Sequence, residues 1–220
     1  EAEGGHGVRL DARTLRTPGG VVFVAPTRAL AELCAEEWAA QGEYIAPAGM
    51  PVSQFAFAAL DWTAKNRADI ARYVTSFGQT DLCCHRAVSP VELVAHQAAQ
   101  WDPLVEWGAG ALGVRLPVVG GVIAAMVEPS ELAKLEARVL ALDDFRLTAL
   151  GQAAGLAGSV LIAFALLRGQ LSPVKAFEAA ALDNLWSLAK WGEDAEARAR
   201  LNRQRREFEA LGRFIGALDQ

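Results

Sequence analysis

The sequence predicts an α+β chain, with a small β-rich N-terminal domain over 1–50 and a larger, mainly α-helical domain over 51–220. Three observations predict it. Residues 8–25 hold two β-rich runs around a Pro-Gly-Gly turn, the apolar spacing switches to threes and fours after Thr27, and Pro47, Gly49 and Pro51 punctuate the boundary. A hydrophobic fraction of 52% against 21% charged residues is the balance of a chain that buries a core rather than staying disordered.

The first run, Val8 to Thr17, alternates in part and breaks at Pro18-Gly19-Gly20, and Val21 to Ala25 resumes it. Two such runs make a hairpin or small antiparallel sheet. Thr27 then caps a helix whose Leu30, Leu33, Cys34 and Trp38 share one face, and Gly42 ends it. Phe55 to Phe77 is apolar and aromatic enough for one or two core helices.

Ser89-Pro90-Val91-Glu92 reads as a helix start with a capping pair and a proline in the first turn. Val91, Val94, Ala98 and Trp101 line one side of that helix, and Asp102-Pro103 kinks it or opens a short second one before Gly108. Gly113 to Ile123 is β-branched and interrupted by Pro117, Gly120 and Gly121, which predicts an extended excursion, a candidate strand beside the N-terminal sheet. Leu132, Leu135, Val139 and Leu142 mark a helix after Pro129. Asp143 or Asp144 opens a buried helix that runs to Gly169. Its apolar stretch, Ala153 to Leu167, rises only about 22 Å as a helix against a hydrocarbon core of roughly 30 Å. It is therefore core, and no stable membrane insertion is expected. Ser172-Pro173 starts the next helix, which Trp191-Gly192 ends, and Asp194 caps a last one carrying Leu201, Phe208, Leu211, Ile215 and Leu218.

The inventory for catalysis is thin. Cys83, Cys84 and His85 are consecutive, but adjacent side chains diverge by about 100° in a helix or 180° in a strand and do not converge on one substrate or metal. His6 and His96 stand alone. No phosphate-binding loop, dinucleotide fingerprint or metalloprotease motif appears, and Gly110, Gly113, Gly120 and Gly121 lack the spacing for a phosphate cradle. Glu36-Glu37 and Asp143-Asp144 read as solvation and capping. No cofactor is expected. Three cysteines without a C-x-x-C pattern suit a reducing compartment, and the acidic Glu1 and Glu3 match neither a secretion signal nor a transit peptide.

A net charge of −5 disfavours nucleic acid as a partner. Arg198, Arg200, Arg203, Arg205 and Arg206 cluster in the last helix, but Glu193, Asp194, Glu196, Glu207 and Glu209 lie among or beside them. With Glu196 and Arg200 spaced for an i,i+4 pair, the cluster reads as a solvated face. Of the six tryptophans, Trp38 and Trp101 fall on apolar faces as core. Trp186 and Trp191 sit beside Asp183, Asn184, Glu193 and Asp194, an aromatic pair ringed by polar groups and hence a plausible docking surface.

Six strings stand in order: 8–18 (VRLDARTLRTP), 24–54 (VAPTRALAELCAEEWAAQGEYIAPAGMPVSQ), 80–87 (TDLCCHRA), 101–107 (WDPLVEW), 158–166 (GSVLIAFAL) and 182–197 (LDNLWSLAKWGEDAEA). Together they resemble the assembly chaperones of the ATP synthase alpha subunit, found in mitochondria and alpha-proteobacteria. The resemblance spans roughly residues 7 to 200 and implies a β-containing domain joined to a helical one, with no catalysis. It implies a protein, cytoplasmic in a bacterium or in the matrix of a mitochondrion, that binds the free alpha subunit, shields its subunit interface and is displaced by the beta subunit, and a monomer is expected. It points to Asp183 as an acidic position of the partner-binding surface, with Trp186, Trp191, Glu193 and Asp194 around it, and to a structural role for Trp38. The chain departs from the family pattern at Asn184 and Ser187, where a second acid and a glutamine are common, and at Phe55 to Ala58 in place of Leu-Ala-Asn-Thr. The alternative is a small cytosolic enzyme using Cys83, Cys84 and His85.

Overall fold

A computed structural model describes residues 4–121, 123, 125–192 and 194–220. The N-terminal run folds back on itself once more than its alternation suggests. β1 (Arg9–Leu10) and β2 (Arg13–Thr14) pair antiparallel around a turn at Asp11, whose φ of 53° is left-handed. The chain then turns at Pro18-Gly19-Gly20, and bridges at Arg16–Val22 and His6–Ala25 complete the antiparallel unit. Alternation alone makes Val8 to Thr17 a single run, and the Asp11 turn divides it. Aspartate tolerates this backbone region better than most residues, so the turn was legible only in a residue type.

Ten helices follow among the described residues, and several carry the caps the sequence predicts. Thr27 accepts from Leu30 N at 3.2 Å to start α1 (Arg28–Ala39). Its hydroxyl also donates to Ala217 O at 2.5 Å, tying the start of the chain to its end. The helix stops at Ala40, before Gly42. Phe55 to Phe77 divides into α2 (Pro51–Asp61) and α3 (Arg67–Ser76), followed by a short turn. β3 (His85–Arg86) leads to α4 (Val91–Trp107), whose cap position is Pro90 rather than Ser89, without a side-chain capping bond. The Ser89–Pro90 peptide is cis. Pro103 is accommodated inside α4, which passes into a wider turn at Gly108–Leu112. The predicted excursion contains β4 (Val119–Gly120), but it pairs parallel with β3 and not with the N-terminal strands.

α5 (Pro129–Leu140) precedes α6 (Asp144–Ala157), which Asp143 caps by accepting from Arg146 N at 2.9 Å. The buried segment is two helices, not one. Gly158 at φ +65° closes α6, and Ser159 starts α7 (Val160–Leu167) by accepting from Ile162 N at 3.1 Å. All eight residues of α7 are buried. The next predicted helix also divides, into α8 (Pro173–Ala180) and α9 (Leu182–Trp191). Asp194 caps α10 (Ala195–Leu218).

The core is continuous from Val8 and Phe23 through α6 and α7 to Phe214 and Leu218. Ring pairs stitch the regions: Phe23 packs edge-on against Phe57 at 5.8 Å, and Phe55 against Phe214 at 5.6 Å. Trp38 lies 6.5 Å from Phe57, and Glu37, only 8% exposed, accepts from Val52 N at 3.0 Å and Ser53 N at 2.7 Å. A carboxylate on α1 thus caps α2.

Candidate functional site

Cys83, Cys84 and His85 occupy a short turn and the start of β3. Both thiols are buried, and burial pushes Cys84 up to about 12 and Cys83 well above its ordinary value, with the neighbouring Asp81 carboxyl acting in the same direction. A thiol held protonated is a poor nucleophile. Cys34, on α1, is likewise buried and pushed to about 12.

The residue that organises this region is Asp81, which is not among the candidates the sequence offers. Its Oδ1 accepts from Cys83 N at 2.9 Å and Ser159 Oγ at 2.7 Å, and its Oδ2 accepts from Leu161 N at 3.1 Å. It therefore fastens the turn before β3 to the start of α7. Burial raises its pKa above the ordinary 3.8 despite these donors. The signal in the sequence was an aspartate one residue before an apolar run, which reads equally as a surface cap. Among the described residues, no three His, Cys, Asp or Glu side chains are grouped so as to hold a metal ion.

The predicted docking surface lies on α9 and the start of α10. Asp183 is half-buried in the first turn of α9, and its Oδ1 accepts from Gln97 Nε2 at 2.8 Å. Gln97 is buried on α4, and its own Oε1 accepts from Ala87 N at 2.8 Å. The Asp183 carboxylate is thereby held in one orientation while still reaching the surface. Trp186 is half-buried, with Lys190 Nζ 5.8 Å from its ring centre. Trp191 is 81% exposed at the end of the helix. Asp194 is committed to its cap, accepting from Ala197 N at 2.9 Å. Glu193 lies outside the described residues. Asn184 accepts from Arg200 Nη2 at 3.2 Å, so that Arg200 ties α10 to α9 rather than pairing with Glu196.

The structure thus brings Asp183, Trp186 and Trp191 together on one short helix and assigns Asp194 a local duty. Trp101, read as core, is fully buried, donates to Ala179 O at 3.0 Å and lies 5.3 Å beneath the Arg86 guanidinium. A cleft of about 1290 Å³ lies between α2, α3, α6 and α10, and no local sequence pattern marks it. No helix among the described residues is long and apolar enough to cross a membrane.

Residues 1–109 match a family model described as the ATP12 chaperone protein. Over its whole length the chain is similar to the solved structure of ATP12 from Paracoccus denitrificans, at 38% identity and a TM-score of 0.94, covering 99% of this chain and 94% of that one. An aspartate-to-lysine mutant of the P. denitrificans protein matches at 37% identity and a TM-score of 0.94, with 99% and 93% covered. The mitochondrial protein ATP12 of Schizosaccharomyces pombe is 24% identical over 202 residues, 86% of this chain and 69% of that protein.

Proposed function

Because the chain belongs to the ATP12 chaperone family, we propose that it binds the free alpha subunit of the ATP synthase catalytic head, shields its subunit interface, and is displaced by the beta subunit. The observation that carries this reading is the family likeness over essentially the whole chain, with a shared fold at 38% identity. Physical reasoning supports it. An unpaired subunit exposes an apolar face that invites aggregation, and a holding protein needs complementarity to that face with only moderate affinity, so that the true partner can replace it.

The chain acts by binding and not by catalysis. The rival enzyme reading required an accessible thiol beside His85, and both thiols are buried in apolar packing. We assign the client contact to the exposed side of α9, where Trp191 offers a large apolar surface and the Gln97-oriented Asp183 offers a fixed negative charge. The working form is a monomer, in the cytoplasm of a bacterium or the matrix of a mitochondrion.

The test is to dilute denatured alpha subunit into buffer and follow light scattering with and without the purified chain. Near-complete suppression at about equimolar chaperone, followed by release on addition of beta subunit, is the expected result. Unchanged scattering, with no complex on gel filtration, would sink the reading.

A further inference from the structure

The cleft between α2, α3, α6 and α10 has walls of two kinds. Along α6, Gly151 and Gly155 stand one turn apart and put no side chain into it. A methyl at Gly155 would meet the Tyr73 hydroxyl oxygen at 2.7 Å, so the glycine lets the phenol lie against bare backbone. The aromatic wall holds the half-buried Phe55 with Trp62 and Tyr73, which are 62% and 51% exposed. The α10 wall is charged. There Glu209 is paired with Arg205 at 3.0 Å, and Arg213 lies 3.6 Å from Glu37. Arg203 and Arg206 are exposed and have no carboxylate partner among the described residues, and Glu207 is the one carboxylate of that wall left unpaired. In a chain of net charge −5, this is a local excess of positive charge beside exposed aromatic surface.

We propose that this cleft receives an acidic amphipathic segment of the client polypeptide, its apolar side chain seated between Phe55 and Tyr73 and its carboxylate at Arg203 and Arg206. The inference rests on the client reading above and adds where a second part of that client lies. Unpaired guanidinium groups select carboxylates, and Trp, Tyr and Arg side by side are the composition of an interface centre. A second copy of the chain fits poorly, because a two-fold contact on this wall sets like charges against each other. Nucleic acid is disfavoured by Glu207 and by the net charge. Along α10 the cleft begins one turn beyond the contact with α9. Arg200, bound to Asn184, precedes Arg203 by three residues of α10, about 4.5 Å along the axis.

The experiment measures binding of purified alpha subunit by the full chain, by the double variant Arg203→Glu/Arg206→Glu, by Arg203→Lys/Arg206→Lys and by Trp62→Ala, with a melting curve and a sedimentation run for each. All three alter exposed side chains. The expected result is about tenfold or greater weakening for the glutamate pair, a several-fold loss for Trp62→Ala, and near wild-type binding for the lysine pair, with melting temperatures within about 2 °C. Binding by the wild type that the glutamate pair and Trp62→Ala leave unchanged overturns the cleft alone. No binding by the wild type overturns the client reading and the occupant with it. A wild-type dimer that Trp62→Ala converts to monomer makes the occupant a second copy, and overturns the proposal.

Discussion

Asp183 has a structural duty toward Gln97 and a proposed duty in recognition, and one substitution can separate the two only if its shape is kept. Its Oδ1 satisfies the buried Gln97 amide, so Asp183→Ala strands a donor and costs about 1–3 kcal/mol in urea denaturation. Asp183→Asn retains an acceptor there while removing the charge. It is expected to melt within about 2 °C of wild type and to bind the alpha subunit roughly three- to tenfold more weakly. Equal affinity would remove the charge from the recognition surface. Asp81 is the opposite kind of carboxylate, fully enclosed and structural. Because burial raises its folded pKa above 3.8, the folded chain binds that proton more tightly than the unfolded chain. Its contribution to stability is therefore present at low pH and declines as pH rises through the interval between the two values. In Asp81→Asn this titration is gone. The stability difference between wild type and variant, followed by urea unfolding from about pH 4 to pH 8, should move in the variant's favour with rising pH. A constant difference would show that Asp81 is no less acidic folded than unfolded.

Elements whose ends are made locally were legible, and those whose ends are made across the fold were not. Thr27, Asp143, Ser172 and Asp194 each cap the helix that follows them, within three residues in sequence. The cap of α2 comes instead from Glu37, fifteen and sixteen residues upstream, and the start of α7 is held partly by Asp81, eighty residues away. No local window contains either. The breaks at Gly158 and Ala181 were hidden because apolar periodicity carries on through them, since both sides of each break face the core. The site divides in the same way. Trp186 and Trp191 stand out by type and spacing, whereas the cleft is made from four helices that meet only in the fold. Close helix contacts give a prediction with opposite signs inside α10. A Cβ at Gly212 would sit 2.1 Å from the rigid Pro173 ring of α8, so Gly212→Ala should cost about 1–3 kcal/mol. At Gly216, in the same helix, such a Cβ meets nothing within 4 Å beyond its chain neighbours and its own helix backbone, and Gly216→Ala should gain about 0.4–1 kcal/mol. Denaturant midpoints of the two variants moving in the same direction would contradict that packing.

At the scale of the molecule, residues 1–50 differ from the rest in pattern but share its interior. Phe23 rests on Phe57, Glu37 caps α2, Thr27 bonds to Ala217, and α1 buries Leu30, Ala31 and Cys34 in the core that also holds Phe214. A region of that size closes little apolar surface by itself, and removing it would uncover the apolar sides of α2 and α10. Its unfolding therefore exposes the larger region's core, and the two should lose structure in one cooperative step. Hydrogen exchange read peptide by peptide across a urea series tests this. Segments from 8–40 and from 144–167 are expected to lose protection at the same denaturant concentration, with only the short strands fraying earlier. Loss across all of 8–40, α1 included, well before 144–167 would establish the N-terminal region as a unit that opens independently. For the release proposed above, independent opening would supply a hinge at Pro47 to Pro51 to work through, whereas a single transition would leave the proposed displacement by the beta subunit to competition at the surface.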